Sequence, residues 1–253
     1  MSLIKKIAYT KLGVWFRNIT GFRPSGINTY NLSENYSISD AFFWRTNDGF
    51  KTIFKFSDLL KIFFKLDQST VQIIFYDKDY KFIKEFQINS IDISNEFIID
   101  KSFLNGLSDY GIFYIFHKTK KKFNNSIRNS CYTGYSYNNS IFSFIHGNVP
   151  VTYQMYDQPG YVSNIISKSL FKNQTYKIQN YFENFSRSEI FLNNPTNKII
   201  NFNLNGVNHF LNSNCSKIID ISNFHEIELI SNCYFLRPLI INYKNNFFDI
   251  YHG

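Results

Sequence analysis

Proline and glycine are scarce in this sequence, at 5 and 11 among 253 residues. Disordered and collagen-like chains are rich in them, so neither class fits. Charge is modest as well, with Asp, Glu, Lys and Arg supplying 18% of the residues. The three cysteines, Cys131, Cys215 and Cys233, form an odd set without CxxC spacing. That pattern gives no disulfide framework and no zinc site, and it points to reduced thiols in a cytoplasmic protein. The opening Met1-Ser2-Leu3-Ile4-Lys5-Lys6-Ile7 lacks the continuous apolar stretch of a signal peptide. No apolar run approaches the roughly 20 residues of a membrane-spanning helix. A glycine-rich phosphate loop, a GxSxG elbow and a paired-carboxylate motif are all missing. Triplets such as Asn173-Gln174-Thr175 occur, but an Asn-rich chain makes them by chance.

What is present is aromatic. Phe 29 and Tyr 18 sit within a composition that is 44% apolar, ample for a core. Aromatic and β-branched side chains suit the pleated, half-buried surface of a strand. The net charge is +8. Lys, Asn, Ile, Phe and Tyr are overused together, as an AT-rich genome produces, so much of this charge reads as codon drift. A basic surface for nucleic acid, anionic lipid or an acidic glycan is the competing reading. The lysines are scattered among aromatics, which gives no strong nucleic-acid signal. The one tight run, Lys118, Lys120, Lys121 and Lys122, reads as a charged loop between strands.

Residues 1–36 mix Lys5, Lys6, Lys11, Arg17 and Arg23 with apolar residues. Wound as one helix, they put Lys11 inside the apolar arc, which suits an arm packed on the body better than a membrane-surface helix. Phe42–Arg45 and Lys51–Phe56, joined at Asn47-Asp48-Gly49, predict a β-hairpin. Ser57 and Asp58 open a short helix through Phe64, with Ser57 as its cap. Val71–Tyr76 and Phe82–Ile88 form a second hairpin around 77–81, and strands follow at 96–100 and 111–116. Pro150, Pro159 and Gly160 argue against regular structure across 147–175.

The two halves resemble each other. Tyr137, Asn139, Phe142, His146 and Gly147 match Tyr243, Asn245, Phe248, His252 and Gly253 without a gap. Upstream, Phe97–Asp100 resembles Lys217–Asp220, and Ser130-Cys131-Tyr132 resembles Asn232-Cys233-Tyr234, in the same order. The expected fold is all-β, with two related antiparallel β-sandwich modules in tandem, an N-terminal arm and one short helix. The arm covers 1–36, the modules 37–150 and 176–253, and a linker 151–175.

Candidate chemistry is thin. His146 and His252 occupy equivalent positions and are candidate acid–base groups, with Asp40 as a third. The plainer reading has each His closing a strand end on a carbonyl, with Gly making the turn. No HxH or HxxxH spacing supports a metal, and no cofactor is expected. Ser39, Trp44 and Arg45 can bind a polar ligand, since Arg clamps anions and Trp faces pack on sugar rings. Against that stands an ordinary core strand. Arg128, Arg237 and Asn148 complete the candidate ligand set. Arg237 is flanked by apolar residues and needs a partner, for which Asp220 and Asp249 are candidates. Ser143 and His146 are three apart on one strand, so they face opposite ways and make no dyad.

Surface aromatics and amides suit a binding protein for a glycan or sugar-derived polar ligand, including an anionic small molecule. Two alternatives stand beside it. One is a carbohydrate-active enzyme with a cleft between the modules. The other is a structural subunit of a virion or other assembly, which implies a homo-oligomer.

Overall fold

The computed structural model describes residues 3–22, 36–121, 126–128, 131–155, 169–179, 185–234 and 236–253. Met1, Ser2, Arg23, Lys122, Ser130, Pro159 and Gly160, used above, lie outside them. The described residues form an all-β body of antiparallel sheets packed on one another, with short helices added.

The arm is two helices, α1 (Leu3–Ala8) and α2 (Lys11–Thr20). Thr10 starts the second, its side chain accepting the Gly13 N–H at 3.1 Å. Gly21 stops it in a left-handed conformation, φ 75°. Helix α3 (Leu59–Phe64) is where it was expected, but its cap is Asp58 rather than Ser57. The Asp58 carboxylate reaches the Lys61 N–H at 3.0 Å, three residues on.

Ten strands come from 36–155: β1 (Tyr36–Arg45), β2 (Phe50–Phe56), β3 (Ser69–Asp77), β4 (Phe82–Ile88), β5 (Asn95–Ile99), β6 (Tyr110–Thr119), β7 (Ser126–Arg128), β8 (Tyr132–Tyr137), β9 (Ser143–His146) and β10 (Asn148–Met155). They form one sheet ordered β10-β1-β6-β3-β4, with β7 parallel to β1, and a second ordered β5-β2-β8-β9. Eight strands come from 174–252: β11 (Gln174–Gln179), β12 (Arg187–Asn194), β13 (Ile200–Leu204), β14 (Val207–Leu211), β15 (Cys215–Asp220), β16 (Glu226–Ser231), β17 (Leu239–Lys244) and β18 (Phe247–His252). Their sheets run β11-β16-β13-β14 and β15-β12-β17-β18.

Three expectations need correction. First, β1 and β2 are not a hairpin. The Asp48-Gly49 turn is real, with φ 52° and 80°, but β1 pairs β6 while β2 pairs β5 and β8. The turn carries the chain from one sheet to the other. Second, Pro150 does not end regular structure, because β10 runs through it from Asn148 to Met155. Strand β10 lies on a sheet edge, and its register shifts against β1 between Asp40 and Ala41. An edge bulge tolerates a residue with no N–H. Third, Lys118 belongs to β6 rather than to a loop.

Three apolar layers hold the sheets. Phe42, Phe54, Phe75 and Phe113 fill the first, between the two sheets of 36–155. Ile190, Leu192, Phe202 and Leu229 fill the second, between the two sheets of 174–252. The third joins the two pairs. Phe43, Ile112, Tyr114 and Tyr135 meet Phe191, Leu239, Ile241 and Tyr243 there. Successive strand residues face opposite sides, so β1, β6, β12 and β17 serve two layers at once and are apolar in both directions. That is why Ala41–Trp44, Ile112–Phe116, Ile190–Leu192 and Leu239–Ile241 read as continuous apolar runs.

Phe113 is fully buried, with the rings of Phe42, Phe54 and Phe75 at 5.3, 4.8 and 5.0 Å between centroids. Phe113→Ala is expected to cost about 3–5 kcal/mol, because a cavity opens among rings that cannot collapse into it. Urea unfolding checks this, and a loss below ~1 kcal/mol would contradict the packing.

Candidate functional site

Trp44 and Arg45 do not reach solvent. Trp44 is 0% exposed and its indole N–H donates to the Tyr76 carbonyl at 2.9 Å. It is a core residue, so its expected role in ligand binding is corrected. Ser39 is equally buried, its hydroxyl donating to Asp40 O at 2.7 Å and accepting the Ile115 N–H at 2.9 Å. Arg45 sits at the edge of the third apolar layer with every arm of its guanidinium occupied. Nη1 donates to Glu189 Oε2 at 2.6 Å and to the Tyr243 hydroxyl at 2.8 Å. Nη2 meets Asp48 at 2.6 Å, and Nε meets Asn47 at 2.7 Å. Tyr243 donates to the same Glu189 oxygen at 2.5 Å, and Arg187 closes on the other oxygen. Burial pushes the Tyr243 hydroxyl well up, so it remains a donor. This is a structural clamp between the first half of the chain and the second.

The remaining candidates gather where β9 and β18 run side by side. Asp40 is held by Arg128 through Nη2 at 2.8 Å and Nε at 3.1 Å. Burial raises the Asp40 carboxyl despite Arg128 and the nearby His146. His146 is exposed and its ring lies 4.4 Å from that of Tyr132. His252 is driven down to about 4 by burial and by the Arg237 charge, against an opposing pull from the His146 backbone. Its ring faces the His146 backbone, which favours the proton, but neither ring nitrogen makes a hydrogen bond of full geometry there. Asn148 donates through Nδ2 to the Arg237 carbonyl at 2.8 Å, while its buried Oδ1 has no partner. The glycines do not serve as turns. A Cβ on Gly147 would lie 2.6 Å from a Phe42 ring carbon, and one on Gly253 would lie 2.4 Å from Ile178 Cδ1. Glycine is needed at both places for close approach.

This seam cluster holds one buried carboxyl group, Asp40, already neutralised by Arg128. Among the described residues no group of three His, Cys, Asp or Glu side chains could hold a metal.

A different surface carries an open polar groove. The outer face of the β11-β16-β13-β14 sheet forms a groove of about 570 Å³. Asn173, Asn201, Asn203, Asn208 and Asn232 contribute amides, Ser231 a hydroxyl, and Phe210 an aromatic face. Its lining includes no Asp, Glu, Lys or Arg. Phe210 pairs across the sheet with Asn201, and Asn208 with Asn203, so ring and amides stand on one face. Asn203 is fixed by its own hairpin, donating to Asn208 Oδ1 at 3.0 Å and accepting the Gly206 N–H at 2.7 Å. Asn205-Gly206 makes that turn with φ 47° and 86°. The sequence candidates missed all of these residues. The usable signal was the alternation of Asn201, Asn203 and Asn205 with Phe202 and Leu204.

Comparison with protein-family models, with curated proteins and with solved structures finds no match.

Two predictions follow from the buried polar groups. Glu189→Ala strands the Arg45 guanidinium and is expected to cost about 3–5 kcal/mol in chemical unfolding. Arg45→Met with Glu189→Leu recovers most of that loss, and additive single losses would refute the clamp. The second concerns His117, which is buried in β6 with both ring nitrogens unpartnered. Burial drives it down to about 4, against a smaller opposing pull from Asp58. The unfolded chain binds this proton near the ordinary value of about 6.5. Stability is therefore full above that value and falls as pH drops toward 4. His252 adds a second proton of the same sign. His117→Leu should lower the pH slope of the unfolding free energy in this window by about one proton, and an unchanged slope would count against it.

Proposed function

We propose that this chain is a binding protein that takes an uncharged stretch of glycan in the Asn-lined groove. The observation that carries it is the combination of amide groups with an exposed Phe210 and a lining without Asp, Glu, Lys or Arg. Sugar rings present an apolar C–H face and a rim of hydroxyls. Phe210 suits the face, and side-chain amides both donate to and accept from the rim. Apart from the His209 imidazole, a phosphate or carboxylate would find no cationic side chain in this lining.

The reading extends to the organisation of the chain. The orders β1-β6-β3-β4 and β5-β2-β8-β9 recur as β11-β16-β13-β14 and β15-β12-β17-β18. His146 and His252 each close the edge strand of the corresponding sheet. This supports a duplicated sandwich in which the groove belongs to the second copy. Thiols rather than disulfides at Cys131, Cys215 and Cys233 support a reducing compartment.

A second reading, an enzyme on saccharides, is favoured by the gathering of Asp40, His146 and His252 at the seam. Release of reducing ends from a bound glycan, abolished in Asp40→Asn, would establish it.

The primary test is an array of neutral oligosaccharides. Phe210→Ala should weaken the strongest hit about tenfold, the scale of one lost aromatic contact. Phe210 is 57% exposed, so its melting temperature should stay within error. No hit above background, or hits indifferent to Phe210→Ala and Asn208→Ala, removes the proposal.

A further inference from the structure

The helical arm turns its apolar side outward. Leu12, Trp15 and Phe16 of α2 are 73%, 58% and 60% exposed, while Val14 is buried. At about 100° per residue, Leu12, Trp15, Phe16 and Ile19 share one arc. The chain breaks at Tyr9-Thr10 and α2 begins at Lys11. Lys11 therefore borders this arc rather than interrupting it, and the objection raised from the sequence falls. Phe22 at 68%, Leu170 at 73% and Phe171 at 76% extend the exposed surface. Their segments are joined, since Ser169 Oγ and the Leu170 N–H both donate to the Ile19 carbonyl, at 2.9 and 3.1 Å.

The charge in the arm's own sequence has one sign. Lys5, Lys6, Lys11, Arg17 and Arg23 precede the first acidic residue, Glu34. Five of the eight net positive charges thus fall in the first 33 residues. A uniform codon drift would have spread them. An aromatic and aliphatic face on a segment whose sequence carries cations and no Asp or Glu is the complement of an anionic bilayer surface. Its apolar side chains enter the headgroup boundary while lysines and arginines meet the lipid charges. Trp is the residue best suited to that boundary.

We propose that the arm docks this protein on a bilayer containing anionic lipid, with Leu12, Trp15 and Phe16 entering the headgroup layer. The proposal stands independently of the glycan reading.

The two tryptophans make the test clean, because Trp44 is 0% exposed and reports nothing from solvent. The full chain is mixed with phosphatidylcholine vesicles, with or without phosphatidylserine. A blue shift of emission and co-sedimentation are expected with the anionic vesicles alone, both reduced by salt. Trp15→Phe should abolish the shift. Lys6→Gln with Lys11→Gln should weaken binding roughly 25-fold, about fivefold for each charge. Leu12→Ser with Phe16→Ser should abolish sedimentation at an unchanged circular dichroism spectrum. Should that pair unfold the chain, the lysine pair, whose two side chains are exposed, still decides. No sedimentation with anionic vesicles overturns the proposal, as does equal binding to neutral ones. A blue shift that grows with protein concentration in the absence of lipid also overturns it, and assigns the face to a second copy of the chain.

Discussion

Phe43 and Phe191 lie 4.2 Å apart between ring centroids, at the middle of a layer that neither half of the chain could fill alone. A sheet face covered in Phe, Tyr and Ile is costly in water, at roughly 25 cal/mol for each Å² left exposed. The outer face of the β10-β1-β6-β3-β4 sheet is such a face, and so is that of the β15-β12-β17-β18 sheet. Each is the cover of the other. The edge of this layer is polar, and there the constraint is stricter. Arg45 and Glu189 are both 1% exposed, and a buried charge without its partner is far more destabilising than an apolar pair in its place. The contact therefore demands one register. Tyr80 adds to it from the β3–β4 turn, donating to Asn193 Oδ1 at 2.7 Å, and Ser216 N–H reaches the Lys78 carbonyl at 2.7 Å. The apolar rings supply the drive, and these polar contacts fix the alignment.

Once two sheet faces are consumed in this way, the surfaces left for recognition are few. Among the described residues the two outer sheets, β5-β2-β8-β9 and β11-β16-β13-β14, keep a solvent side, and the amide-lined groove lies on the second. The amides of that side need no burial, so they are open to selection by a ligand. The seam cluster is placed differently. Asp40, Arg128, His146 and His252 lie at the margin of the central layer, where burial shifts the protonation of Asp40 and His252 but Arg128 already satisfies Asp40. Perturbed groups at a structural seam are a weaker sign of chemistry than an unobstructed surface of matched donors and acceptors.

Much of the strand content was legible, and the errors share a cause. Period-two alternation tells inside from outside only when one face is wet. At Ala41–Trp44 both faces are dry, so the run gave no sign that β1 and β2 part into different sheets after Gly49. The same dryness made Trp44 and Arg45 look like site residues, since an aromatic beside a cation is ambiguous until burial is known. Arg45 and Glu189 are 144 positions apart, and no spacing rule links them. The His-Gly endings could be found because they recur in order along the chain. Their glycines were misread as turns, although what requires glycine is the approach of Phe42 and Ile178. The Asn groove was available from local evidence, an Asn-Gly hairpin flanked by alternating amides, but codon bias offered too easy an account of the asparagines.

That account is also incomplete for position. Composition alone cannot explain why the cations crowd the arm or why the amides share a face with Phe210. The two surfaces are joined by one short segment. Ser169 exchanges contacts with Asn232, its N–H donating to the Asn232 carbonyl at 2.8 Å and its carbonyl accepting from Asn232 Nδ2 at 3.3 Å. Its hydroxyl meets Ile19 of the arm. Phe171 belongs to the apolar surface, and Asn173, two residues on, lines the groove. An extended chain advances about 3.3 Å per residue, so a bilayer under Phe171 lies close to whatever Asn173 touches. A protein docked through the arm would hold its groove at the lipid surface. A glycan projecting from the headgroup layer would then meet the groove at high effective concentration, so that modest affinity in each contact gives firm attachment when both are made.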